Sequence, residues 1–287
     1  MKLPSPDKHI KYVFLYPSII FLLVLGIFPT IYTLFISFHS YQLGREMVFI
    51  GAENFREVLL DSRFWNALQI TTIIAVTALT VELLFGFAMA LILNRDIRGV
   101  RFFFWIFLLP MVASPIAVSY IWHLLYSELF GPLNDILRIL GLRPVAWLSN
   151  EQIAPISIVT VDVWQWTPFV ILVLYAALQS LPKEPYEAAQ IDGASRTQIF
   201  MHITLPLLGP ALTIVFFLRL VEVFKIFDVV YGLTGGGPGI STQSITYYTY
   251  DVSMKWFSLG YGSALSYFIL IIILAITIPL SRVIKLG

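Results

Sequence analysis

The sequence predicts an all-α, polytopic membrane fold with six transmembrane helices, and three observations carry that expectation. Of its 287 residues, 58% are hydrophobic and only 12% are charged, against roughly 25% charged in a soluble domain. The charges gather between long apolar runs instead of spreading through them. Six of those runs reach the roughly 20 residues that cross a bilayer core. Backbone in lipid must satisfy its own hydrogen bonds, so each run is expected to be helical. The alternation that barrel strands require is absent.

The spans are expected at about 13–38, 67–93, 102–126, 153–178, 206–230 and 261–281. The first follows Lys2, Lys8 and Lys11, as a signal peptide would. It is longer than the roughly 7–15 residues of a signal core, with no small-residue cleavage site behind it, so a retained span is expected. In the second span Gly86 and Ala90 form a small-xxx-small pair that lets a neighbouring helix come close. Trp65, Trp105, Trp122, Trp147 and Trp256 fall near span ends, where an indole is favoured. One set of connections carries Lys2, Lys8, Lys11, Arg95, Arg98, Arg101, Lys183, Arg196, Arg282 and Lys285. The opposite set has fewer: Arg45, Arg56, Arg63, Arg138, Arg143, Lys225 and Lys255. The positive-inside rule then places both termini in the cytoplasm of a multi-pass protein of the cell membrane.

Composition also excludes chemistry. Without cysteine there is no disulfide framework and no thiolate site. A net charge of +1 and the lack of a basic tract give no nucleic-acid signal. His9, His39, His123 and His202 do not cluster, so neither a metal nor an acid–base site is expected, and no cofactor on this chain.

The most informative connection joins the fourth and fifth spans. Glu187, Ala188 and Ala189 suit the start of a short helix, where a carboxylate complements the helix dipole. Gly193, just after Asp192, permits a turn with positive φ. A second helical stretch, Ser195 to Ile203, is expected to stop at Pro206, which suits the start of the next span. Together they predict an ordered helix–turn–helix between the spans.

Glu187-Ala188-Ala189, Gly193, Ile203, Leu205 and Pro206 keep every spacing of the signature loop that ABC importer permeases carry, and the sequence resembles that family here. Phe227-Asp228-Val229-Val230-Tyr231 and Leu233-Thr234-Gly235-Gly236-Gly237-Pro238 resemble its sugar-importer, maltose-type branch. So do Gly51, Asn54-Phe55, Leu60, Asp61, Phe64-Trp65 and Ala67-Leu68. The resemblance implies a type I ABC importer permease fold, a transport subunit rather than an enzyme. It divides the chain into 1–65 (N-terminus, first span and outer loop), 66–282 (the transmembrane domain, with coupling loop 182–206) and a tail, 283–287. It also implies the partners: a second permease in a heterodimer, two copies of a cytoplasmic ATPase holding ATP and Mg, and an extracytoplasmic solute-binding protein. Glu187, Ala188, Ala189, Asp192, Gly193, Ile203, Leu205 and Pro206 would couple the chain to the ATPase. Glu82 departs from the pattern, since an apolar residue is expected there.

The glycine run could suggest a phosphate loop. It lacks the Gly-Lys-Ser/Thr ending such loops use, and a membrane-edge turn is expected. Within the spans, Asp162, Trp164, Gln165 and Trp166 could form a sugar platform of aromatic faces and hydrogen-bonding groups, with Pro168 adding a kink. Arg219, Glu222 and Lys225 share roughly one face, and an Arg219–Glu222 ion pair is expected there. Glu222, Lys225, Asp228 and Tyr231 complete the substrate-path candidates, with Tyr267 weaker. The alternatives are an ion-coupled secondary transporter using the intramembrane carboxylates, a membrane-embedded enzyme, or an importer of the same class carrying glycerol phosphate compounds.

Overall fold

The computed structural model describes residues 10–95 and 99–284. Lys2, Lys8, His9, Arg98 and Lys285 lie outside the described residues. The chain divides into two compact units, residues 1–61 with 249–270, and residues 62–248 with 271–287.

In the first unit, α1 (Ile10–Leu22) passes through a π turn (Leu23–Ile27) into α2 (Phe28–Ser37). The segment Leu15–Ser37 is long and apolar enough to cross a membrane, and almost none of it is buried. A short hairpin follows, with β1 (His39–Ser40) antiparallel to β2 (Val48–Phe49) and His39 opposite Phe49. Asn54, at the start of α3 (Glu53–Leu60), is buried and donates to the carbonyls of Ser37 and His39 at 2.8 and 2.9 Å. These bonds satisfy chain ends that the hairpin leaves open.

The second unit begins with α4 (Ser62–Leu93), followed by α5 (Val100–Val112), α6 (Pro115–Leu125) and α7 (Pro132–Ile139). Then come α8 (Ala154–Gln179), α9 (Glu184–Ile191), α10 (Arg196–Ile199) and, after a π turn (Phe200–Thr204), α11 (Leu205–Phe224). Next are α12 (Asp228–Leu233) and α13 (Ile245–Tyr250), which runs over the unit boundary. The last helix, α14 (Leu259–Ile284), gives its first half to the first unit and its second half to this one.

Among the described residues, five helical stretches meet the length and apolarity of a membrane span, and a bent pair makes up to six. The third expected span is therefore not one straight helix. Phe104–Val112 and Pro115–Leu125 meet at 101°. Ala113 and Ser114 are extended, as a residue before proline prefers, and Pro115 opens the next helix. The break frees the Ala113 carbonyl, and buried Gln165 captures it with an Nε2–H bond at 3.1 Å. The fifth expected span also ends early, at Phe224, so Lys225 and Asp228 stand beyond its last turn. Pro168 leaves α8 uninterrupted.

Among the described residues, two apolar clusters pack the helices of the second unit. Ala75, Ala78 and Leu79 of α4 pack with Leu220, Val223 and Phe224 of α11. Ala90 of α4 packs with Val170, Leu174 and Leu178 of α8 and with Leu208 and Val215 of α11. The expected close approach at Gly86 is present, since a Cβ there would lie 2.6 Å from Val170 Cβ. Gly86→Val is accordingly expected to destabilise the protein by about 1–3 kcal/mol through overpacking. Thermal unfolding in detergent reads this as a lowered midpoint that Val170→Ala partly restores.

Candidate functional site

The connection between α8 and α11 is an ordered element whose outer face is open. Glu184 and Glu187 lie in the first turn of α9, where the helix dipole favours negative charge. No residue of α9 is buried. Glu187, Ala188 and Asp192 are exposed, and the Ile191 side chain is 86% exposed. The helix ends in a Schellman turn. Ala194 N–H donates to the Ala189 carbonyl at 2.9 Å, and Gly193 N–H to that of Gln190 at 3.1 Å. Gly193 supplies the left-handed residue with φ +74°.

Ser195 then opens the next helix with a reciprocal capping box. Its Oγ accepts from Gln198 N–H at 3.3 Å, and Gln198 Oε1 accepts from Ser195 N–H at 2.8 Å. From there the chain stays helical, and Arg196–Phe224 forms one apolar stretch of 29 residues. The second stretch therefore does not stop at Pro206 as expected. The π turn Phe200–Thr204 widens the helix just before Pro206, whose ring would otherwise press on the preceding turn. Leu23–Ile27 stands in the same relation to Pro29. Ile203 and Leu205 are half-buried, Pro206 is exposed, and the Tyr186 hydroxyl lies 3.2 Å from the hydroxyl of buried Thr204. That bond fastens α9 to the base of α11.

A second cluster lies inside the helices. Arg219 of α11 donates to Glu82 through both Nε and Nη2, each at 2.7 Å, and from Nη2 to Asp162 at 2.9 Å. All three side chains are buried. This corrects the expected Arg219–Glu222 pair and gives Glu82 its partner. Glu222 instead pairs with Lys225 at 2.9 Å in an exposed contact. The Trp166 ring lies 5.0 Å from the Arg219 guanidinium, in cation–π range. The triad joins α4, α8 and α11, and a bidentate guanidinium–carboxylate fork fixes their relative rotation.

A cavity of about 120 Å³ opens beside the triad, lined by Asp162, Trp166, Arg219, Glu222, Lys225 and Asp228 among others. The structure thus gathers five substrate-path candidates and leaves three outside the cavity lining. Trp164 meets Trp122 edge-on at 5.6 Å, Gln165 holds the break between α5 and α6, and Tyr231 packs with Phe227 at 5.5 Å. Tyr267 donates to the Thr30 carbonyl at 2.5 Å. The glycine run is tied by its own side chains: Thr242 Oγ1 donates to the Gly237 carbonyl at 2.6 Å and lies 2.8 Å from the Thr234 hydroxyl. His39, His123 and His202 each hold a backbone carbonyl. Among the described residues no group of three or more His, Asp and Glu could hold a metal ion.

Residues 82–286 match the family described as binding-protein-dependent transport system inner membrane component. This chain belongs to that family. It is 37% identical over 286 residues to the trehalose/maltose transport system permease protein MalF of Thermococcus litoralis, covering 98% of this chain and 96% of that protein. It is 30% identical to the sulfoquinovosyl glycerol transport system permease protein SmoG of Agrobacterium fabrum, covering 97% and 91%. The fold matches a chain of a bacterial ABC transporter that imports the polysaccharide alginate, with a TM-score of 0.85 at 22% identity over 96% of this chain and 95% of that one. The protein is thus a membrane permease subunit with the type I importer fold. ATP hydrolysis in this family belongs to a separate subunit.

Proposed function

We propose that this permease is one of two six-span subunits of an ATP-driven importer for a sugar or oligosaccharide. In this reading α9 docks on a cytoplasmic ATPase, present in two copies that hold ATP and Mg, and both termini of this chain are cytoplasmic. A solute-binding protein delivers substrate on the opposite side of the cell membrane. The carrying observation is mechanical. An exposed helix, closed by a hydrogen-bonded turn and bonded to Thr204, continues directly into Arg196–Phe224. A displacement of α9 therefore reaches the fifth span instead of dissipating in a loop.

Glu187, Ala188, Asp192 and Gly193 present the docking face, while Ala189, Ile203, Leu205 and Pro206 set the helices behind it. Loop 182–206 is the coupling segment of the transmembrane domain, 66–282. The substrate path runs along Asp162, Trp166, Glu222, Lys225 and Asp228, with Trp164, Gln165 and Tyr231 bordering it. The trehalose/maltose and sulfoquinovosyl glycerol permeases among its relatives support a carbohydrate over a glycerol phosphate. An ion-coupled carrier is disfavoured because Glu82 and Asp162, its best-placed carboxylates, are both bound to Arg219.

The test is gentle purification from the native membrane followed by identification of what accompanies the chain. A second permease and an ATPase are expected. Glu187→Lys is expected to release the ATPase while the second permease stays bound, with uptake falling at least about tenfold, an effect of roughly 1.4 kcal/mol. Uptake that runs on an ion gradient and ignores ATP would overturn the reading.

A further inference from the structure

Behind α9 lies a cavity of about 610 Å³, within the roughly 300–1,000 Å³ of small-molecule sites. Lys183, Tyr186, Glu187 and Gln190, spaced i, i+3, i+4 and i+7, form the stripe of the α9 segment that lines it. Asn94 beyond the end of α4, Gln179 at the end of α8 and Phe200 before α11 line it as well. It shares no lining residue with the cavity beside the Arg219 triad.

The lining chemistry suits a neutral polyhydroxyl ligand. Gln179 Nε2 donates to Asn94 Oδ1 at 2.6 Å, which ties the ends of α4 and α8. That bond leaves the Asn94 Nδ2 donors and the Gln179 Oε1 acceptor for sugar hydroxyls, and Gln190 brings a third side-chain amide. Tyr186 and Phe200 offer aromatic faces to the C–H side of a sugar ring, and Phe87 supports the Phe200 ring at 6.1 Å. The two charges of the lining, Lys183 and Glu187, are opposite in sign and select no ion.

We propose that this cavity is a regulatory site that binds the imported sugar on its release side and arrests transport. The choice of ligand rests on the sugar-importer reading above: the sugar is the polyhydroxyl compound this protein itself delivers to the side where α9 lies. The Tyr186–Thr204 bond fastens α9 near its first turn, while Ile191 at its far end is exposed. A sugar that bridges Gln190 to Asn94 and Gln179 adds a second attachment near that far end. It fixes the angle of α9 against the bundle, so displacement no longer passes into Arg196–Phe224.

The test uses the whole importer in phosphatidylcholine vesicles, with ATP on the α9 side and the solute-binding protein on the other. The probe is whichever of maltose, trehalose and raffinose the parent takes up fastest. Unlabelled on the α9 side, it is expected to lower uptake and binding-protein-stimulated ATP hydrolysis together, several-fold against an osmotically matched salt. Gln190→Ala and Phe200→Leu are expected to keep near-parental rates without that internal sugar and to need several-fold more of it for half-inhibition. Internal sugar without effect on the parent would overturn the proposal. So would inhibition of equal strength in both variants, which would place its origin in the substrate path. ATP-driven uptake of none of the three sugars would instead sink the sugar-importer reading, and this site's ligand with it.

Discussion

Replacing Arg219 with alanine is expected to destabilise the protein by about 3–5 kcal/mol, since it leaves two buried carboxylates without their counter-charge. That is a large part of the roughly 5–15 kcal/mol that holds a folded domain. The expected readout is a sharply lowered yield in the membrane and a lower thermal midpoint in detergent. Because Glu82, Asp162 and Arg219 are all buried, the effect should not depend on salt. Removing all three charges together, as Glu82→Leu, Asp162→Leu and Arg219→Met, is expected to recover most of the stability, because apolar residues of similar volume replace buried ion pairs at little cost. Uptake in that triple variant separates two roles for the triad. Restored folding with lost uptake means the cluster acts in transport. Recovery of both means it serves only to align α4, α8 and α11. An Arg219→Ala protein as stable as the parent would show that the triad does not hold those helices together.

The triad also marks where the sequence stops being informative. Glu82, Asp162 and Arg219 are visible as ionisable residues in apolar runs, and such residues seek partners inside the bundle. Which partner each finds is not local. Arg219 has Glu222 three residues away, but its partners lie 137 and 57 residues distant, and the packing of Ala75, Ala78 and Leu79 of α4 and of Val159 and Val163 of α8 with Leu220 and Val223 of α11 brings them to it. The Glu184–Ser195 segment was more legible because its signals are local: a carboxylate in a first turn, a glycine after a last turn, a serine three residues before a glutamine. The break in the third span had local signals too, in Pro110 and Ser114-Pro115. An unbroken apolar run hid it, since hydropathy records what lipid tolerates and not where the backbone bends. The early end of the fifth span at Phe224 was concealed in the same way by Ile226 and Phe227.

Gly193→Val is expected to abolish most uptake while leaving membrane insertion and the second permease contact intact. The glycine sits at φ +74° with nothing within 4 Å of where a Cβ would be, so crowding within this chain does not require it. Conformation does. A side chain in the left-handed region costs roughly 1–2 kcal/mol, and a β-branched one fits it worst. With that cost the hydrogen bonds from Gly193 and Ala194 to Gln190 and Ala189 are lost in a large share of molecules, and α9 is no longer set at one angle to Arg196–Phe224. Because 1.4 kcal/mol is a factor of ten in an equilibrium, uptake and binding-protein-stimulated ATP hydrolysis are expected to fall together by about tenfold or more. Gly193→Asn is the discriminating companion, since asparagine enters the left-handed region readily. Substantial uptake with Asn and little with Val assigns the requirement to the backbone angle. Equal loss in both assigns it to a partner surface pressed against the bare glycine, and full uptake with Val would remove the turn from the coupling path.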